Sequence, residues 1–268
     1  MKKLFKYKST ASILLIIILT QAIAFSSPYK LSPVMDGILI GSGTALYGFS
    51  IYSDKYADPL TDSQIAELSE NDINILDRPA AHHRSASSAQ WSDAAVTSIM
   101  ISPAAFLAAE KTRNDLLTIG VMYGESILIT TGLCGSIKNI VHRKRPYTYN
   151  SDVPDEEKKK KDSVRSFYSG HTANAFNSAV FISTVYSEYY PENSWRFCIW
   201  GASLSAASLT GYLRYRAGKH YPTDIIAGAV TGSTTGWLIP ALHRQGNENI
   251  SFQITAGDET MIAVIMTF

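Results

Sequence analysis

Three short stretches of the chain carry residues whose types and spacing suit the binding of an anion. In the first, six residues separate Lys138 from Arg145, and Pro146 follows. The spacing is nearly two helical turns, so both cations would project to one side if the helix continued. Pro146 disfavours helical geometry at the preceding residue, which predicts that the helix ends there. A point charge and a planar guanidinium both suit phosphate oxygens, although an ordinary basic helix end looks similar.

The second stretch is Ser169-Gly170-His171, directly before an apolar segment at 172–190. Ser169 is predicted to cap the start of a helix, and Gly170 lets the backbone approach a ligand closely. Free N–H groups at a helix start form an anion site, which would place His171 beside the anion. Taken alone, this stretch fits a capped helix with an incidental histidine equally well.

In the third stretch, five residues separate Arg214 from His220, and three more separate His220 from Asp224. Pro222 and Asp224 both suit the first turn of a helix, one because of its fixed φ and the other because of the helix dipole. His220 lies close enough to Asp224 for the carboxylate to orient its imidazole, as a histidine nucleophile requires. A surface His–Asp pair is the alternative interpretation.

Together the stretches contribute three cations, two histidines, one carboxylate and a glycine-containing helix start. Such a set predicts a phosphate pocket with both a nucleophile and a proton donor. Binding alone needs only cations, so the two histidines and Asp224 favour an enzyme over a protein that only binds lipid phosphates.

Apolar segments must position these residues. Their length and lack of strict alternation favour helices over strands, which predicts an all-α bundle of about six helices. The segments are rich in small residues, as membrane bundles are, and this favours membrane association; a soluble periplasmic bundle is the alternative. The C-terminal residues alternate and predict a short β hairpin. The apolar segments are 94–109, 116–140, 172–190, 197–213 and 225–242.

The N-terminus has the pattern of a secretory signal peptide, with early lysines, an apolar run from Ala11 to Leu19 and small residues at Ala22 and Ala24. An uncleaved anchor is the alternative, and both predict an exported chain. We expect four regions: the signal or anchor at 1–24, an N-terminal helix with polar loops at 25–92, a core at 93–243 and a tail at 244–268.

Composition narrows the functional classes. The 24 Lys and Arg residues nearly balance the 23 Asp and Glu residues, which argues against a nucleic-acid partner. The chain has only two cysteines, Cys134 and Cys198, so no disulfide framework is expected; both are predicted to be buried thiols. The polar loop at 147–165 includes a run from Lys158 to Lys161, interpreted as a solvated loop or as a flap that attracts anionic headgroups.

The order Lys-x6-Arg-Pro, Ser-Gly-His and Arg-x5-His-x3-Asp resembles the type 2 phosphatidic acid phosphatase (PAP2) superfamily, which includes class A acid phosphatases and vanadium haloperoxidases. The motifs run from Lys138 to Asp224, and Tyr168 stands where the family often has proline. The resemblance implies that His220 attacks phosphorus, that Asp224 orients it and that His171 protonates the leaving oxygen. It also implies a phosphate-binding set and no cofactor or metal. That set is Lys138, Arg145, Ser169, Gly170 and Arg214.

The resemblance therefore predicts a metal-independent phosphatase that hydrolyses a phosphate monoester or pyrophosphate through a phosphohistidine. The export signal and apolar helices favour a lipid substrate at the periplasmic face of the inner membrane. A soluble, non-specific periplasmic acid phosphatase is the main alternative, followed by a vanadium haloperoxidase. Because His220 must be neutral and His171 protonated, a bell-shaped pH profile is expected. Oligomeric state is open.

Overall fold

A computed structural model describes residues 27–246, 250–255 and 261–266. The predicted signal peptide at 1–24 lies outside this part of the chain. Within the described residues the fold is an all-α bundle with a small hairpin, which confirms the predicted class; six helices have 16 residues or more. The helices are α1 (Pro33–Asp54), α2 (Asp62–Ala66), α3 (Ala86–Ile101), α4 (Leu116–Val141), α5 (Asp155–Lys158), α6 (Gly170–Tyr189), α7 (Trp195–Arg216) and α8 (Pro222–His243).

Local signals set several helix starts. Ser169 caps α6 by accepting a hydrogen bond from the backbone of Thr172, as predicted. Pro222 opens α8, where Asp224 accepts from the backbone N–H of Tyr221. Short 3₁₀ helices lie between the longer elements, at Glu70–Asp72, Arg78–His82, Ser102–Leu107, Glu110–Asp115, Pro146–Tyr149 and Lys161–Val164.

The segment predicted as a helix at 94–109 begins earlier and ends earlier than expected. Ser85 caps α3, and the helix gives way after Ile101 to a 3₁₀ helix that contains Pro103. A proline disfavours α-helical geometry at the residue before it, which accounts for the early end. The domain boundary expected at 93 therefore falls inside a helix.

Close helix contacts are made at glycines. A Cβ on Gly232 of α8 would lie 2.0 Å from the carbonyl oxygen of Ala173 in α6. A Cβ on Gly132 of α4 would lie 2.7 Å from the backbone nitrogen of Tyr47 in α1. Only glycine permits these approaches, so the backbones of α6 and α8, and of α1 and α4, are held nearly in contact. A cluster of buried apolar side chains fills the bundle interior, including Met122, Phe181, Val185, Tyr189 and Ile239.

Three regions contain helices long and apolar enough to cross a membrane: α1, Glu110–Tyr149, which includes α4, and α8. Large apolar side chains cover the outside of the bundle, as expected for helices that contact lipid. Those more than half exposed include Ile51, Leu117, Trp195, Phe197 and Val230.

The two cysteines differ in environment. Cys134 of α4 is a buried free thiol, as predicted, but Cys198 is exposed. Cys198 lies in α7 one residue after Phe197, which is also exposed. An apolar neighbourhood in the sequence therefore did not imply burial, because the outer face of this bundle is itself apolar.

The C-terminal strands β1 (Ile250–Thr255) and β2 (Met261–Met266) form an antiparallel pair with Ile250 opposite Met266. This confirms the predicted hairpin.

Ion pairs tie the polar loop at 147–165 to the region that follows α1. Lys159 lies 2.5 Å from Asp62, Lys161 lies 3.4 Å from Asp54, and Arg165 also pairs with Asp54. The lysine run is thus partly paired with carboxylates of the same chain rather than simply solvated. These contacts close the loop over the end of the bundle at which α4 ends and α8 begins.

Candidate active site

The three sequence stretches meet at one end of the bundle. Lys138 lies in the last turn of α4 and Arg145 follows that helix, whereas His171 is in the first turn of α6. Arg214 lies in the last turn of α7, and His220 lies two residues before α8 begins. The ends of four helices therefore bring these five side chains together.

His220 is the most buried member of the group, with 1% of its surface exposed. Its Nε2 lies 3.3 Å from a guanidinium nitrogen of Arg145, and its Nδ1 lies 3.5 Å from Oδ2 of Asp224. Because a guanidinium can only donate, Nε2 must accept, and the imidazole proton is then on Nδ1, facing Asp224. This tautomer leaves the Nε2 lone pair directed into the cationic site.

The pKa of His220 is well below the usual value. Burial is the largest cause, because it disfavours the charged imidazolium, and neighbouring positive charges act in the same direction. His220 is consequently neutral at neutral pH, as a nucleophile must be. The neighbours that lower this pKa are the other four side chains of the site, Arg145, Lys138, Arg214 and His171. All four are therefore close enough to His220 to affect its charge.

Asp224 is completely buried and held from several directions. Its Oδ2 accepts hydrogen bonds from Ser166 Oγ at 2.5 Å and from the Tyr221 backbone N–H at 3.1 Å. Its Oδ1 accepts from Arg143 at 2.5 Å. These contacts fix the position of the carboxylate, which is what an orienting group for His220 requires.

Behind Asp224 lies an ion-pair network that the sequence did not reveal. Arg143 also donates to Asp77 Oδ2 at 2.7 Å, so one guanidinium bridges two fully buried carboxylates. Asp77 further accepts from the backbone N–H of Thr223 at 3.0 Å and from its hydroxyl at 2.6 Å. Sequence reasoning took Arg143 for part of a basic helix end. It assigned the region around Asp77 to polar loops, because no spacing rule links residues 66 positions apart.

His171 is paired with a carboxylate that the sequence did not single out. Its Nε2 lies 2.7 Å from Oδ1 of Asp93 in α3, and the same oxygen lies 3.5 Å from Arg214. Burial and the charge of Arg214 lower the pKa of His171 to about 4, although the hydrogen bond to Asp93 acts in the opposite direction. Asp93 thus occupies the region between the two side chains expected to contact a phosphate.

Arg145 is almost fully buried and fixed on three sides. It donates to the backbone oxygen of Asp162 at 2.8 Å and to its carboxylate at 2.7 Å, and to the backbone oxygen of Lys219 at 3.0 Å. Burial raises the pKa of Asp162, but Arg145 and Lys138 outweigh it and lower this pKa overall. The loop at 147–165 therefore contributes the carboxylate that orients Arg145.

Other cationic donors are not fully engaged. Nε of Arg214 is buried and has no hydrogen-bond partner among the described residues. Within the same part of the chain, the side-chain ammonium of Lys138 forms no hydrogen bond or ion pair. Donors left unpaired inside a positive pocket are suited to receive the oxygens of an anion.

Ser169 and Gly170 form one wall of the site. Ser169 is buried, and its hydroxyl accepts from the Thr172 hydroxyl at 2.8 Å, so the side chain serves the helix cap. The Ser169 backbone N–H donates to the carbonyl oxygen of Asp224 at 3.1 Å, which joins the starts of α6 and α8. The backbone N–H of Gly170 belongs to the free first turn of α6 and remains suited to an anion.

Comparisons with known proteins found one matching family model and two similar curated proteins. A family model described as the PAP2 superfamily matches residues 119–248. The chain is 28% identical over 158 residues to a probable diacylglycerol pyrophosphate phosphatase 1 of Schizosaccharomyces pombe, covering 48% of this chain and 56% of that protein. It is 28% identical over 117 residues to a lipid A 4'-phosphatase of Bacteroides thetaiotaomicron, covering 42% and 48%.

The chain thus spans about half the length of these curated relatives. Among solved structures, it is similar to a transmembrane PAP2 type phosphatidylglycerolphosphate phosphatase from Bacillus subtilis, with 21% identity and a TM-score of 0.45. That alignment covers 75% of this chain and 94% of the other.

Proposed function

Residues 119–248 belong to the PAP2 superfamily, and from this membership and the site geometry we propose that the chain is a phosphatase. It hydrolyses a phosphate monoester or pyrophosphate of a lipid through a phosphohistidine intermediate. The observation that carries the proposal is the buried His220, whose Nε2 faces the cationic site while its Nδ1 faces Asp224.

In the first step, Nε2 of His220 forms a bond to phosphorus as the bond to the leaving oxygen breaks. The electron pair of the broken bond goes to the leaving oxygen, which takes a proton from His171. Asp224 stabilises the positive charge that develops on His220, supported by Arg143 and Ser166.

In the second step, His171 takes a proton from water, and the water oxygen attacks phosphorus. The P–N bond breaks, its electrons return to Nε2 of His220, and phosphate leaves. Negative charge is spread over three phosphate oxygens in both steps, so fixed cations stabilise the transition state more than the ground state. We assign this stabilisation to Lys138, Arg145 and Arg214, together with the backbone N–H of Gly170.

The proposed substrate class is a membrane lipid. Two relatives are named as phosphatases of lipid phosphates, and three regions of this chain have the length and apolar character of membrane spans. The site lies where α4 ends and α8 begins, both of them in candidate spans, so it would lie near a membrane surface, within reach of a headgroup.

The test uses purified full-length protein in detergent, assayed against lipid monophosphates, lipid pyrophosphates and a soluble aryl phosphate. We expect His220→Gln to lower kcat by at least about 10³-fold, as loss of a covalent nucleophile does. The matched control is His82→Gln, which changes an exposed histidine that pairs with Glu70. Rapid acid quench with phosphorus-labelled substrate should trap acid-labile phosphoenzyme in the wild type but not in His220→Gln.

Full turnover by His220→Gln would overturn the mechanism. Equal kcat/KM for the aryl phosphate and for all lipids, together with release of the protein by osmotic shock without detergent, would favour the soluble acid phosphatase instead.

A further inference from the structure

A second cluster of ionisable side chains lies at the other end of the bundle. Asp36 in the first turn of α1, Glu125 of α4 and His243 at the end of α8 place one potential ligand atom each within 4.8 Å of one another. Since α8 is 22 residues long, His243 lies about 30 Å along the helix from Asp224. The cluster is therefore separate from the phosphate site.

The orientation of His243 is fixed by the backbone. Its Nδ1 lies 2.8 Å from the carbonyl oxygen of Ile239, which can only accept, so Nδ1 carries a proton. The other ring nitrogen, Nε2, lies 2.9 Å from Oδ1 of Asp36 and 3.4 Å from Oε2 of Glu125. A histidine that donates one N–H to a backbone carbonyl and aims the other nitrogen at carboxylates has the arrangement of a metal ligand.

Glu125 is an independent indication that something binds here. Its side chain is 1% exposed, and neither carboxylate oxygen has a hydrogen-bond partner among the described residues. A buried carboxylate without hydrogen bonds is costly unless a charge compensates it. In the part of the chain that the structure describes, His243 is also the only side chain in an ion pair with Asp36 or Glu125, so two carboxylates share at most one positive charge.

We infer that Asp36, Glu125 and His243 bind a divalent first-row transition metal ion, with Zn²⁺ as the best fit. Imidazole with carboxylates is a ligand set that such ions accept. Zinc–ligand bonds of about 2.0–2.1 Å at tetrahedral angles place ligand atoms about 3.3 Å apart. The observed separations of 2.9 Å and 3.4 Å from Nε2 bracket that value.

The ion would join three helices that are distant in sequence. The backbone N–H of Lys30 already donates to the carbonyl oxygen of His243 at 2.9 Å, so the segment before α1 contacts the end of α8. A metal ion bound by Asp36, Glu125 and His243 would join α1, α4 and α8 at this same contact through their side chains. Its role is therefore structural, and metal removal is expected to lower stability rather than to change the chemistry at His220.

The experiment measures metal in the full-length protein, purified in detergent without a metal-affinity step. We expect one Zn²⁺ per chain by elemental analysis, and a Kd of about 1 μM or tighter in competition with a chromophoric chelator. Chelation should lower the unfolding temperature, and Zn²⁺ should restore it. Glu125→Gln and His243→Gln should each weaken binding by at least about 100-fold.

His82→Gln is the control, because His82 also pairs with a carboxylate, at 3.5 Å from Glu70, but both side chains are exposed. This variant should keep wild-type affinity. His220→Gln should also bind Zn²⁺ with wild-type affinity. The metal site and the phosphatase activity are therefore tested separately, and either proposal can fail without the other.

If the Glu125 and His243 variants fail to fold, Co²⁺ replacement in the wild type provides the second measurement. Bound Co²⁺ should show d–d absorption that one equivalent of Zn²⁺ abolishes. No Zn²⁺ in the wild type, no Co²⁺ spectrum and an unfolding temperature indifferent to chelators would show that His243 is a protonated ion-pair partner, and the inference would be wrong.

Discussion

Asp77→Asn tests whether the ion-pair network behind Asp224 positions the proposed nucleophile. The Asp77 carboxylate accepts hydrogen bonds from Asn74, Arg143 and both donors of Thr223. The asparagine amide has the shape of the carboxylate, but an NH₂ donor replaces one of the acceptor oxygens. This donor would face the N–H and O–H donors that now bond to Asp77. Hydrogen bonds to charged groups contribute about 1.5–3 kcal/mol each, so we expect a net loss of about 2–4 kcal/mol in the free energy of unfolding.

The same change is expected to lower kcat while leaving KM nearly unchanged. Asp77 does not touch the phosphate site, but Arg143 loses one of its two anchors, and its contact with Asp224 loosens. Asp224 keeps Ser166 and the Tyr221 backbone N–H, so the loss is partial. We expect kcat to fall about tenfold, or about 1.4 kcal/mol of transition-state stabilisation.

The pH dependence of stability provides a further readout. Burial raises the pKa of Asp77, but hydrogen bonds from Thr223 and Arg143 outweigh it and lower this pKa overall. A carboxyl whose folded-state pKa is depressed stabilises the fold above its unfolded pKa, and this stabilisation is lost as pH falls through the folded value. The gap between wild type and Asp77→Asn should therefore be full at neutral pH and shrink below about pH 4.

The assay compares thermal unfolding in detergent and steady-state kinetics for wild type, Asp77→Asn and Asp72→Asn. Asp72 is the matched control because it lies in the same segment and is exposed. The expected stability loss corresponds to a shift of about 5–10 °C in unfolding temperature. Wild-type kcat and unfolding temperature in Asp77→Asn, or a rise in KM with unchanged kcat, would refute the positioning role.

Two further predictions concern helix packing and proton transfer. Gly232→Ala should destabilise the protein and abolish turnover, because the new Cβ would lie 2.0 Å from the Ala173 carbonyl oxygen. Gly201→Ala, whose new Cβ would have nothing within 4 Å, should preserve stability and turnover. If the two variants match in thermal unfolding and activity, the close packing of α6 and α8 is contradicted. The pKa of His171 is lowered to about 4, although the hydrogen bond to Asp93 raises it. Because His171 must be protonated to act as the acid, kcat/KM should fall as the pH rises above about 4, and in Asp93→Asn this fall should move to lower pH. The measurement is a pH profile with a soluble ester. A fall that stays in place or moves upward would argue against His171 as the proton donor.

Local physical chemistry was enough for the sequence to predict the helices and most of the pocket. The serine cap of α6 and the proline at the start of α8 act within one turn, so they can be read without knowledge of distant residues. His220 and Asp224 are likewise only four residues apart. Such signals predicted which side chains the helix ends would present. The helix expected to reach Arg145 instead ends at Val141, so helical spacing does not link Lys138 to Arg145.

Only the tertiary structure decided how those side chains are supported. Asp77 meets Arg143, and Asp93 meets His171, across 66 and 78 residues, and Asp36 meets His243 across 207. Which residues meet depends on how rigid helices are packed and rotated against one another. Periodicity along one helix defines a face but does not name its partner, so these contacts had no signature in a single sequence.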